Sequence, residues 1–198
     1  ENSLRFRSSA NAYLSRTFPT AGNRTTWTWS AWVKRGELGP SQNLFACDIP
    51  PNDENFHQIS FNTTNQLDFL CYIGGGVGRL KTTQVFRDPS AWYHIVIVWD
   101  TTNATSTDRI RIYVNGDRIT SFETTIYPSL NLNGIINSAD VHTIGSLYYN
   151  LSNMQYLDGY MTEVNFVDGQ ALTASDFGET NEDTGVWQPI EYTGTYGT

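Results

Sequence analysis

Short runs of alternating apolar and polar residues, each closed by turn-forming residues, recur along this chain and point to antiparallel strands from end to end. A period of two sends successive side chains to opposite faces of a strand, so such runs bury one face and wet the other. Residues 26–34 are the clearest case: Trp27, Trp29, Ala31 and Val33 share one face, and Thr28, Ser30, Trp32 and Lys34 the other. Residues 92–99 are apolar at almost every position, which predicts a central strand covered on both sides. Ile110, Ile112 and Val114 form another apolar face. The pair Asn115-Gly116 tolerates positive φ and predicts a tight hairpin turn, with 118–122 returning alongside. Further strands are expected at 4–7, 44–47, 57–61, 67–73, 79–85, 141–145 and 159–167. Helix is nearly absent; the one start signal is Thr173 before Ala174, Ser175 and Asp176, enough for a single turn.

Six Trp, eleven Tyr and ten Phe supply ample surface for one core, so residues 1–198 are expected to form a single domain. Residues 178–198, polar and aromatic by turns, are expected to be an ordered tail strapped to it. The start at Glu1 rather than Met, and the end at Thr198 with no closing strand, suggest a processed chain or a fragment of a larger protein. A formal net charge of -8 with no Lys/Arg cluster argues against nucleic acid and anionic membrane as partners. No apolar run is long enough to insert in a membrane, and no signal-peptide pattern opens the chain. Cys47 and Cys71 fall in separate strands with the strand around Phe61 between them, so two buried thiols are expected rather than a disulfide.

Three stretches together resemble the concanavalin A-like, laminin-G-like jelly-roll superfamily. The first is Trp27-Thr28-Trp29-Ser30-Ala31-Trp32-Val33-Lys34, similar to an early strand of that fold. The second joins Trp92-Tyr93-His94-Ile95-Val96-Ile97-Val98-Trp99-Asp100 to Arg111-Ile112-Tyr113-Val114-Asn115-Gly116, similar to the paired central strands. The third runs from Ile144-Gly145 through Leu157-Asp158-Gly159-Tyr160-Met161-Thr162-Glu163-Val164 to Leu172-Thr173-Ala174-Ser175-Asp176-Phe177, similar to the closing strand and its helical turn. The resemblance spans about residues 3–177 and implies an all-β antiparallel sandwich of the jelly-roll type with at most one short helical turn. Asp168-Gly169-Gln170-Ala171-Leu172, Gly178-Glu179-Thr180 and Gly185-Val186-Trp187 resemble domains of bacteriophage tail and other virion proteins. That implies a virion or extracellular setting, virion proteins as neighbours and, by analogy with fibres, a homotrimer. The superfamily includes lectins, structural domains and glycosidases, so function has to be read from sites.

Glycosidase chemistry needs two carboxyl groups on one face. Glu163-Val164-Asn165-Phe166-Val167-Asp168 has polar residues at the offsets used by jelly-roll glucanases, but Asn165 replaces the central Asp and Asp168 the final Glu. No enzymatic activity is therefore expected. His94 reads as a hydrogen-bonded core histidine, no Ser sits in a nucleophile elbow, and Gly74-Gly75-Gly76-Val77-Gly78 lacks the Lys and helix of a phosphate loop. The ligand-binding candidates are Tyr148, Tyr149, Asn150, Asn153, Gln155 and Tyr156, in a loop between two expected strands. Tyrosine rings stack on the C–H faces of sugars, and amides both donate to and accept from hydroxyls; the same tyrosines would otherwise pack beneath the loop. In the acidic loop 48–55, Asp48, Asp53 and Glu54 could help hold Ca²⁺, as some laminin-G-like relatives do, or form a solvated turn. No other cofactor is implied. Sequons begin at Asn23, Asn62, Asn103 and Asn150, as an Asn- and Thr-rich chain produces by chance. The expected function is a non-catalytic module recognising a cell-surface glycan; the alternative is a structural virion assembly domain with no glycan ligand.

Overall fold

Two antiparallel sheets, packed face to face, form the body of the chain. The computed structural model describes residues 2–49, 55–149 and 151–197. In chain order the strands are β1 (Leu4–Phe6), β2 (Leu14–Thr17), β3 (Thr26–Arg35), β4 (Gln42–Asp48), β5 (Asn55–Phe61), β6 (Gln66–Ile73) and β7 (Gly76–Val85). Then come β8 (Tyr93–Asp100), β9 (Ile110–Val114), β10 (Asp117–Arg118), β11 (Phe122–Ile126) and β12 (Val141–Ile144). The last five are β13 (Leu147–Tyr149), β14 (Ser152–Met154), β15 (Gly159–Asp168), β16 (Gly178–Thr180) and β17 (Trp187–Pro189). One sheet has the order β1-β15-β3-β8-β9-β10 and the other β11-β7-β6-β5-β4-β12-β2, while β13–β14 and β16–β17 are separate hairpins. The all-β sandwich expected from the alternation is thus present. Among the described residues no helix is long and apolar enough to cross a membrane.

The inward faces are the apolar sides of the alternating runs. Trp27, Trp29, Ala31 and Val33 of β3 and Ile95, Ile97 and Trp99 of β8 meet Phe45, Ile59, Phe61, Phe69 and Leu80 from the opposite sheet in one core. Trp27 stacks on Trp99 and Trp29 on Phe45, at centroid distances of 6.3 and 6.2 Å. Cys47 and Cys71 are buried and free, each paired in register with His57 of β5 between them. His142 continues that row beside Cys47. The buried segment 134–138 lies against it: the Ile136 N–H donates to His57 Nδ1 at 3.2 Å, and the Asn137 N–H to His142 Nε2 at 2.9 Å. These imidazoles answer backbone donors that no strand pairs with.

β8 is covered on both faces. Val96 and Val98 point away from the core into a second cluster with Val167, Ala174 and Phe177, joined by Trp187 and Tyr192 of the C-terminal segment. His94, on that same outer face, accepts a hydrogen bond from Trp187 Nε1 on Nδ1 at 2.9 Å. Its Nε2 must then carry the hydrogen and donate to Ser30 Oγ, also at 2.9 Å.

The structure corrects two sequence expectations. The chain after the Asn115-Gly116 turn returns beside β9 only briefly, as β10, and then crosses to the other sheet, where β11 pairs with β7. Ile119 and Phe122 explain the departure, because both pack against the core between the sheets. The turn at Ala174–Asp176 forms with the Asp176 carboxylate reaching back to the Thr173 N–H at 2.7 Å. It is accompanied by two further 3₁₀ turns, Ser8–Ala10 and Ser106–Asp108, where only one helical turn was expected.

Candidate functional site

The outward face of the seven-stranded sheet carries aromatic rings where a half-wet strand would ordinarily show polar groups. Phe56 and Tyr72 stand opposite each other on β5 and β6 and stack with centroids 5.4 Å apart and an 18° interplanar angle. Tyr149 of the β13–β14 hairpin meets Phe56 edge-on at 5.6 Å. With Leu70, Gly76, Arg79 and Ile126 these residues line a groove of about 470 Å³. It crosses β5, β6 and β7 between the hairpin on one side and edge strand β11 on the other.

Local sequence explains each wall. The hairpin packs on β4 through Leu147, which is buried, and is tied down by the Asn43 N–H donating to the Gln155 carbonyl at 2.8 Å. Tyr149 lies on the same side of the hairpin as Leu147 and so projects toward the sheet. Gly76 opens β7, and a Cβ there would meet no heavy atom within 4 Å, so the glycine keeps the groove floor open. Arg79 is fixed by Asp68 through Nε at 3.0 Å and Nη2 at 2.6 Å, a two-point carboxylate pairing that raises its pKa above the usual guanidinium value. Beyond it Lys81 is paired with Glu123 at 2.5 Å, and Glu123 also accepts from Gln66 Nε2 at 2.6 Å.

The segment read as a loop at 148–156 is largely a β-hairpin, with Tyr148 opposite Asn153. Of its candidate residues, Tyr149 lines the groove. Asn153 is used within the hairpin region, its side-chain oxygen accepting from Ser146 Oγ at 3.0 Å and its carbonyl from the Tyr156 hydroxyl at 3.1 Å. Tyr156 itself packs toward Tyr13, with centroids 6.2 Å apart. Gln155 takes a positive φ of 52° at the hairpin exit, and Tyr148 is half-buried on the hairpin's other side. Asn150 lies outside the described residues.

Of the acidic-loop candidates, Asp48 ends β4, is 1% exposed, and pairs in register with Phe56. Asp53 and Glu54 lie outside the described residues. Among the described residues no three His, Cys, Asp or Glu side chains converge as a metal site.

The groove thus joins the two segments that the sequence presented separately, since Phe56 follows the acidic loop and Tyr149 belongs to the tyrosine hairpin. Phe56, Leu70, Tyr72, Arg79 and Ile126 were not singled out as site residues. The available signal was Leu70 and Tyr72 on the outward, otherwise polar side of the 67–73 run. The near-miss carboxylates belong to the other sheet. Glu163 sits in a bulge between Thr162 and Asn165 with φ 49°, while Asp168 accepts from the Asn23 N–H at 2.9 Å and Asn137 Nδ2 at 2.6 Å. One is displaced by the bulge and the other committed to holding loops.

Among solved structures, the heptameric SAP-like pentraxin of Limulus polyphemus superposes with a TM-score of 0.62 at 16% identity, over 86% of this chain and 77% of that one. The NanB sialidase of Streptococcus pneumoniae, as its K499G mutant, gives 0.62 at 16% identity over 91% of this chain, which spans only 29% of the sialidase. The CBM40 of the Ruminococcus gnavus IT-sialidase, bound to α2,3-sialyllactose, gives 0.54 at 12% identity over 80% of this chain and 82% of that module. These are likenesses of fold. No curated protein matches the chain in sequence. A laminin-G-type family model matches residues 8–176, and the chain therefore belongs to the concanavalin A-like lectin/glucanase superfamily.

Proposed function

We propose that this chain is a non-catalytic, lectin-like module that binds a cell-surface glycan in the groove between the β13–β14 hairpin and β11. The observation that carries the reading is the cluster of Phe56, Tyr72 and Tyr149 beside Arg79 in one groove. Ring faces take the C–H surface of a sugar, and guanidinium groups take its hydroxyls. The fold shared with a sialidase CBM40 that binds sialyllactose supports the reading. A virion or extracellular location, neighbouring virion proteins and a trimeric arrangement belong to the same proposal, supported by the resemblance of 168–187 to phage proteins.

One observation favours the alternative role in assembly. A slot of about 290 Å³ at the side of the sandwich is lined by Leu14, Phe18, Phe45, Ile144 and Phe166, and Leu14 is half exposed. An apolar slot suits a protein neighbour better than a sugar.

A glycan panel probed with the purified domain and with Tyr72→Ala and Gly76→Gln separates the two readings. Saturable binding that weakens about five- to tenfold in Tyr72→Ala is expected, on the scale of one lost stacking contact. Gly76→Gln, which fills the groove without a backbone clash, is expected to abolish it. A folded domain that binds nothing on the panel, but assembles through Leu14 and Phe166, would replace glycan recognition with the assembly role.

A further inference from the structure

We infer that the groove selects an uncharged saccharide and discriminates against acidic sugars, with the Arg79–Asp68 pair serving as a neutral hydrogen-bonding fixture. The inference rests on the glycan reading of the groove and narrows its ligand class. Both cations on this face are already neutralised. Arg79 is clamped by two hydrogen bonds to Asp68, whose side chain is only 6% exposed, and Lys81 is held by Glu123. Asp48 adds a buried acidic residue on the same face, in register with Phe56. The whole chain has a net charge of -8, so a sugar carboxylate entering here meets a compensated guanidinium inside an acidic field.

Compensation does not remove Arg79 as a donor. The bonds to Asp68 use Nε and one Nη2 hydrogen, and among the described residues Nη1 donates to no partner. The clamp therefore aims the remaining N–H groups toward the groove that the side chain lines, where uncharged hydroxyls can accept. Asp68 is thus a positioning residue, and it also sets charge selectivity.

The test pairs neutral oligosaccharides with matched sialylated and uronate-bearing ones, for the wild type and Asp68→Asn, at about 50 and 500 mM NaCl. The wild type is expected to favour the neutral member of each pair by about tenfold, with an affinity that changes less than about twofold between the salts. Asp68→Asn is expected to gain acidic ligands in a salt-sensitive way, because Arg79 is then uncompensated. If that variant does not fold, the wild-type pairs and salt series decide the matter alone. Equal or tighter binding of the acidic members by the wild type would overturn the ligand class and leave glycan binding standing. Absence of binding to every saccharide, neutral or acidic, would remove the glycan reading itself and this inference with it.

Discussion

At Gly116 the backbone takes φ 92°, and a methyl group placed on its Cα would stand 2.8 Å from the Trp187 ring. Asn115 beside it has φ 50°, so both central residues of the hairpin turn are in the left-handed half of the map, which an L-residue with a β-carbon enters at a cost. Gly116→Ala is expected to destabilise the domain by about 1–3 kcal/mol, measured as a fall in urea midpoint, because strain and the contact with Trp187 act together. Asp117→Asn, an exposed change beside the turn that imposes neither, should stay within about 0.5 kcal/mol of the wild type. Equal effects of the two substitutions would show that neither the left-handed backbone nor the indole contact limits this position.

Among the elements, the C-terminal hairpin β16–β17 depends on contacts outside itself. Its strands are three residues each, too short to be stable alone. Trp187 anchors it by stacking near His94 at 5.9 Å and donating its indole N–H to the imidazole at 2.9 Å. Trp187→Phe keeps an apolar ring and removes the donor. Faster amide exchange is expected at 178–189 in that variant, with β3 and β8 protected as before, because their pairing lies in the sheet beneath. Loss of protection throughout β8 would instead mean that the tail and the sandwich unfold as one unit. The floor of the groove has no such dependence, because β5, β6 and β7 are each paired on both sides within the sheet.

For the whole molecule, the three histidines link stability to pH in one direction. Burial lowers His57 to about 3 and His94 and His142 to about 4, from an ordinary value near 6.5. Each ring also accepts a hydrogen bond from an N–H on one nitrogen, which a protonated imidazole cannot do. Above about pH 6.5 the rings are neutral in both folded and unfolded chains, and their contribution to stability is complete. As pH falls below that value the unfolded chain takes up protons that the folded one refuses until about pH 4, so stability is lost across that window. The slope should approach about 1.4 kcal/mol per pH unit for each ring, or about 4 for the three together near pH 5. Urea midpoints measured from pH 7.5 to 4.5 check this; a flat profile down to pH 5 would mean that the rings are not held neutral in the fold.

The amino-acid order alone determined which residues face inward, because a period of two leaves no other way to bury Trp27, Trp29 and Val33 together. It also determined the Asn115-Gly116 turn and the double burial of β8, both of which follow from local conformation and uninterrupted apolar sequence. The groove was only half legible. The tyrosine hairpin and the acidic loop stood out by composition, but about 90 residues separate Phe56 from Tyr149, and local pattern says nothing about contacts at that range. Their meeting was decided by the strand order β7-β6-β5-β4-β12, together with the docking of β13 on β4, which brings one tyrosine over Phe56 while Tyr156 turns toward Tyr13. The charge state of the groove was likewise a tertiary outcome. Arg79 and Asp68 are eleven positions apart, and only the register of β6 against β7 places them two strand positions off each other on one face, where the cation is cancelled.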